Sequence, residues 1–116
     1  AKAVTLEAGS RTLEIAYKLE GLPRDFRQHL AVEFNFAGLP ANAPGRRFLD
    51  ENENDLGDLG DCLDLANCRL IGLVDGYMRI DAKLAIAQAS NGAQAGVWTF
   101  PIQSVSQSES GFELVH

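Results

Sequence analysis

The sequence predicts an all-β domain, a two-sheet antiparallel β-sandwich, and three observations carry that expectation. Apolar residues recur at every second position in several short runs, turn-forming residues fall between the runs, and no segment fits a 3.6-residue period better. Successive strand side chains point to opposite faces, so each alternating run has one face to bury and one to wet. Six to eight such strands with short connections close most simply as two packed sheets.

The runs follow in order. Val4, Leu6 and Ala8 mark the first strand. Ala8, Gly9 and Ser10 supply a turn before Leu13, Ile15, Tyr17 and Leu19, which alternate with Thr12, Glu14, Ala16, Lys18 and Glu20. Gly21, Leu22 and Pro23 end that strand, and residues 24–30 are long enough for one helical turn at most. Leu30, Val32, Phe34 and Phe36 alternate with Ala31, Glu33 and Asn35, which predicts a third strand. Two prolines then make residues 39–45 a loop, because proline donates no ladder hydrogen bond.

Asp75 and Gly76 separate residues 69–74 from residues 77–88, and this spacing predicts a long antiparallel hairpin closed by a type I′ turn. In its second arm Met78, Ile80, Ala82, Leu84 and Ile86 are the inward set. Asn91 and Gly92 mark the next turn; Trp98, Phe100 and Ile102, then Phe112 and Leu114, complete the pattern. No repeat or linker divides the chain, so residues 1–116 are expected to form a single domain. The chain opens on Ala1 and ends on His116 without leader or tail, and it reads as a domain excised from a larger protein.

Charge excludes one class of partner. Sixteen acidic residues face ten basic ones, for a net charge of -6. Nucleic acid demands a basic footprint, and the pair Arg46 and Arg47 is too small to be one. A membrane helix needs about 20 apolar residues in a row, and no run approaches that. Cys62 and Cys68 could close a small loop, but two free thiols in a reducing compartment are favoured, and with them a cytoplasmic location. Neither a CxxC nor a histidine pair accompanies them, which argues against zinc.

Residues 50–64, DENENDLGDLGDCLD, form the most acidic stretch. Against a calcium-loop template, Asp50, Asn52 and Asn54 fall at the first, third and fifth ligand positions, and Asp58 and Asp61 at the ninth and twelfth. Alternate hard oxygens suit calcium because a looping backbone can aim them at one centre. The sixth position is Asp55 where glycine is needed for the turn, and the twelfth is Asp where a bidentate Glu is needed. A solvated acidic loop of two successive turns is the favoured reading, with calcium as the alternative and no other cofactor implied.

Catalytic machinery is absent from the pattern. Ser104, Ser106, Ser108 and Ser110 lack a GxSxG elbow, and His29 has no nucleophile beside it in sequence. Among aromatic candidates for sugar binding, Trp98 and Tyr17 follow the inward phase of their strands and are expected in the core. Tyr77, out of phase with Met78 and Ile80, is expected to be exposed. By residue type, Tyr77 and, despite its inward phase, Trp98 are the candidate carbohydrate-binding residues.

The run WTFPIQSVSQSESGFE over residues 98–113 resembles the W-x-[YF]-P-[IV]-x-T-[VL]-S-Q-S-E-x-G-[FW] signature near the end of glycoside hydrolase family 57 enzymes of the 4-α-glucanotransferase and α-amylase type. Val32, Glu33, Phe34 and Asn35 resemble a second strand of the same domain. Ser104 stands where that family often has Thr. The resemblance implies a C-terminal β-sandwich that follows a catalytic barrel and is similar to the large sandwiches of α-mannosidases and aldose mutarotases. It also implies that the catalytic carboxylates belong to the barrel, so no catalytic residue carries over. The expected function is a non-catalytic accessory domain of an α-glucan hydrolase or transferase, partnered by its catalytic domain and in contact with α-glucan. An autonomous carbohydrate-binding module and a calcium-binding structural sandwich are the alternatives. Gln107 and Glu109, in a very polar segment beside apolar strands, are the candidate interdomain contacts.

Overall fold

The computed structural model describes residues 1–25, 30–36, 43–87, 95–108 and 111–115, the strands within 104–115 by their backbone. Among these residues there are ten strands and no helix, and every strand pair is antiparallel. The chain is all-β, an arrangement in keeping with the expected sandwich class. None of its elements is a helix long and apolar enough to cross a membrane. It divides into two compact units, Ala1–Asn35 and Phe36–His116.

The first unit is a hairpin. Strands β1 (Lys2–Leu6) and β2 (Leu13–Tyr17) pair with Val4 opposite Ile15 and Leu6 opposite Leu13. Gly9, at φ 76°, takes the left-handed turn that the sequence assigned to this site, and the Ser10 N–H closes it on the Glu7 carbonyl at 3.0 Å. Directly opposite residues share a face, so Val4, Leu6, Leu13, Ile15 and Tyr17 form one apolar stripe, with Lys2 Nζ standing 5.6 Å over the Tyr17 ring. Most of this stripe is exposed and Ile15 is only half-buried. Tyr17 is therefore not the core residue its phase suggested.

Residues 30–36 do not form the expected third strand. Their alternation is real, but they join no ladder, and Leu30, Val32, Phe34 and Phe36 are all exposed. Alternation makes a segment able to be a strand; a partner edge makes it one.

The second unit is built on a four-stranded sheet of order β4-β3-β6-β7. Its strands are β3 (Arg46–Leu49), β4 (Asp55–Asp58), β6 (Leu70–Asp75) and β7 (Ile80–Ala85). The expected hairpin β6–β7 is present, but its turn is different. Asp75 pairs with Ile80, which leaves a four-residue loop, 76–79, and the positive φ falls on Arg79. Asp75 stays in the strand and its Oδ1 accepts the N–H groups of Tyr77 and Met78 at 2.9 and 3.0 Å. The loop is anchored further by the Gly76 N–H, which donates to the Gly45 carbonyl at 3.0 Å. A two-residue turn would set Leu73 against Met78; here its partner is Ala82. That slip is even, so Ala82, Leu84 and Ile86 are more buried than Asp81, Lys83 and Ala85. Met78, now in the loop, and Ile80, at the strand end, are exposed and not part of the inward set.

The register sorts the sheet into two faces. One carries Phe48, Ile71, Leu73, Ala82 and Leu84 together with Arg46 and Asp75. The other carries Arg47, Leu49, Val74, Asp81 and Lys83 and bears a shallow cleft of about 320 Å³. Among the described residues the buried large apolar side chains are Leu59, Ile71 and Leu73. Within the same face Arg46 Nε donates to Asp75 Oδ2 at 2.6 Å, with the two residues 7% and 1% exposed.

Four short strands in two pairs belong to the same unit. Strands β5 (Asp64–Leu65) and β8 (Val97–Trp98) pair with Asp64 opposite Trp98. Strands β9 (Ser104–Ser108) and β10 (Gly111–Val115) pair in a continuous register, Ser108 opposite Gly111. The polar segment at 104–108 is thus a regular strand. The expected turn at Asn91 and Gly92, residues 39–42 of the proline loop, and His29 lie outside the described residues.

Candidate functional site

The acidic segment is a chain of self-capped turns around strand β4. After β3, the Asp50 carboxylate accepts the N–H groups of Asn52 and Asn54 at 2.9 and 2.8 Å, and Asn54 Nδ2 at 3.0 Å. These donors hold the Asp50 carboxyl below the usual carboxylate range, the Asn54 side chain contributing most. Asp55 accepts a two-nitrogen clasp from Arg47 at 2.8 to 3.0 Å and the Gly57 N–H at 2.9 Å. The Arg47 hydrogen bonds are the main cause of the lowered Asp55 pKa.

Past β4 the same logic repeats. Asp58 Oδ1 accepts the Gly60 N–H at 2.8 Å, and Asp61 Oδ2 reaches back to the Asp58 N–H at 2.9 Å. Gly57 makes that reach possible: at φ 142°, any Cβ on it would strike the Asp61 carboxylate. Leu59, between the two caps, is one of the three buried apolar residues, so this turn also supplies core.

The calcium template therefore meets a geometric fact. Asp50, Asn52 and Asn54 occupy the loop before β4, whereas Asp58 and Asp61 occupy the turn at its other end. A four-residue strand separates the two groups by roughly 10 Å at about 3.3 Å per residue. No group of three or more His, Cys, Asp or Glu positioned to hold a metal occurs among the described residues. Cys62 is exposed and Cys68 half-buried, both as free thiols, with the Cys68 Sγ–H directed at the Leu70 carbonyl at 3.4 Å.

From Asp61 onward the segment is tied to β8. The Thr99 N–H donates to the Leu63 carbonyl at 2.9 Å, and Thr99 Oγ1 accepts the Leu63 N–H and donates to the Asp61 carbonyl, each at 3.0 Å. One residue on, Trp98 lies across from Asp64 and its indole Nε1–H donates to Asp64 Oδ1 at 2.7 Å. Trp98 is 72% exposed. Its alternation with Phe100 and Ile102 is correct, but all three are exposed, so the stripe faces away from the core.

Tyr77, at the tip of the β6–β7 loop, is 86% exposed, as its phase predicted. It belongs to a different element from Trp98, and no described contact joins the two. Gln107 lies in β9 opposite Phe112; Glu109 lies outside the described residues.

A second shallow cleft, about 420 Å³, opens beside Asp64, between the Asp50 loop and residues 64–70. Glu51, Asp64, Asn67 and Arg69 line it with Leu56 and Leu70. Sequence reasoning did not find this cleft, nor Thr99, nor the pair of Arg46 and Asp75. Thr99 acts through hydrogen bonds to residues 36 and 38 positions away. The last was hidden because Asp75 reads as a turn residue and Arg46 as part of a basic pair.

The arrangement as a whole has carboxylates committed to turns, one aromatic ring fixed at the surface, and a polar cleft at its edge. No curated protein and no solved structure shows a match to this chain. The model of the family described as alpha-amylase/4-alpha-glucanotransferase, C-terminal, matches residues 1–116, and the chain belongs to that family.

Proposed function

We propose that the chain is a non-catalytic accessory domain that packs against the catalytic domain of an α-glucan hydrolase or 4-α-glucanotransferase. The observation that carries this reading is the balance of its apolar surface. Sixteen large apolar side chains are exposed and three apolar residues are buried among the described residues. Where such residues adjoin on one face, they mark an interaction surface, because soluble monomers keep contiguous apolar patches small. The hairpin stripe of Val4, Leu6, Leu13 and Tyr17 is the best-defined such face. Membership of a C-terminal family supports a partner within the same enzyme. Asp58 and Asp61 serve as turn caps and Asp64 accepts the Trp98 indole N–H, which supports a structural rather than a hydrolytic part for them.

The test is to mix the chain with the separately produced catalytic domain and follow complex formation by size-exclusion chromatography. A stoichiometric complex is expected, and a Val4→Glu, Leu13→Glu variant should lose it. The isolated chain should not release sugar from soluble starch. No complex, together with full activity and stability of the enzyme after deletion of this region, would overturn the reading.

A further inference from the structure

We infer that Trp98, held by Asp64, a residue that also lines the 420 Å³ cleft, is an α-glucan-binding platform of this domain. The inference rests on the reading above, since the family supplies the substrate class. Its site and chemistry come from the residues. A pyranose presents an apolar C–H face and a rim of hydroxyl groups, so it is recognised by a flat ring beside hydrogen-bonding side chains.

Trp98 meets the first requirement. An indole exposed at 72% leaves a large apolar area in water, and exposed tryptophans of this kind are favoured contact residues. Its orientation is fixed rather than free. The Nε1–H is directed at Asp64 Oδ1 at 2.7 Å, and the two residues sit directly opposite in the β5–β8 pair. A ring fixed before the ligand arrives loses less conformational freedom on binding. The bond also saturates the only polar group of the indole, so the ring faces are left for an apolar contact.

The cleft meets the second requirement. Asp64 lines it as well as holding Trp98, so the ring and the cleft share this one residue. A carboxylate can accept about four hydrogen bonds and the indole takes one. Glu51 and Asn67 add acceptors and a donor of the kinds that sugar hydroxyls use. Its volume falls within the range of about 300 to 1,000 Å³ typical of small-molecule sites, enough for a short oligosaccharide segment. Tyr77 is more exposed still, yet neither it nor Asp75, which accepts its N–H, lines either cleft, whereas Asp64, which holds Trp98, does.

The sequence makes this measurable, because Trp98 is its one tryptophan. Titration of the chain with maltoheptaose, followed by tryptophan emission, should give a saturable change within about 10 mM, the weak range expected of one stacked ring. Cellohexaose, with β-linkages, should give none. In gels containing soluble starch, Trp98→Ala should weaken retardation at least about tenfold, with Trp98→Phe between the two. Asp64→Leu should weaken binding severalfold, whereas Asp64→Asn, which keeps an acceptor for the indole, should restore it. That rescue marks Asp64 as a positioning residue. No emission change with maltoheptaose, equal responses to both sugars, or unaltered retardation of Trp98→Ala would each overturn the inference. Docking to the catalytic domain is read separately, so lost glucan binding with intact docking removes this inference alone.

Discussion

The β1–β2 hairpin and the β4-β3-β6-β7 sheet obey the same alternation, yet they put it to opposite use. In the hairpin, Val4, Leu6, Leu13 and Tyr17 share a face that stays in water. In the sheet, the face carrying Ile71 and Leu73 is buried closely enough to hide even Arg46 and Asp75. A two-stranded ribbon has too few neighbours to cover its own apolar side, whereas a four-stranded sheet surrounds its central strands on both edges. Period two thus defines which side chains act together. How many strands join, and what lies over them, decides whether that set becomes core or contact surface.

The comparison is tested hardest at the buried ion pair. Arg46→Ala removes the Nε donor from Asp75 Oδ2 and leaves a carboxylate at 1% exposure without its cation. Stranding a buried charge is among the most destabilising single changes. Melting followed by circular dichroism should show a fall on the order of 10 °C or more. Asp75→Asn should cost less, since an amide oxygen can still cap Tyr77 and Met78. Acid should act through the same pair. The Asp75 pKa is lowered, first by the Arg46 hydrogen bond and then by the Met78 N–H. Its folded value lies below its unfolded one, so its contribution is complete above the ordinary carboxylate range, near pH 4. That contribution is lost as pH falls through the range toward the folded pKa. A melting temperature that is flat from about pH 7 to 5 and drops below about pH 4 is expected. In Arg46→Ala that acid limb should shrink.

A smaller effect is expected from cutting into the apolar part of the same face. Leu73 is buried at the centre of β6, between Phe48 of β3 and Ala82 of β7. Leu73→Ala deletes buried methyl groups and leaves a cavity, a change that costs about 2 to 4 kcal/mol in comparable cores. Urea titration, with the slope compared as well as the midpoint, would measure it. A cost below about 1 kcal/mol would show that this face is too loosely covered to count as a core.

How far these differences could be read in the sequence depended on distance along the chain. The hairpins around Gly9 and Asp75 were legible because alternation and turn residues are local signals. The turn at 76–79 was misassigned because Asp75 can cap a loop with its side chain as readily as it can enter one. Residues 30–36 carried the alternation without a pairing edge, which local pattern cannot reveal. Trp98 was placed inward for the same reason: the phase of Trp98, Phe100 and Ile102 was correct, but phase does not say which side has an inside. The acidic segment matched a ligand template by spacing. Strand β4, which carries its two halves apart, followed from pairing with β3 and not from the carboxylates themselves.

The smallest expected effect completes the comparison and separates it from simple hydrophobicity. Leu6 and Leu73 are the same residue type, each within a paired strand, but Leu6 is 65% exposed. Leu6→Ala removes little that is shielded from water, so the stability of the isolated chain should change by no more than about 0.5 kcal/mol. The same substitution should weaken the complex with the catalytic domain if the hairpin stripe is the docking face, because truncation then exposes a contact that assembly had buried. Urea titration of the chain and a binding isotherm for the complex read the two quantities independently. A large loss of stability in the chain alone would mean that the hairpin already has a cover, and that its alternation serves folding in the way that of the sheet does. An unchanged isotherm would move the docking face elsewhere on the exposed apolar surface.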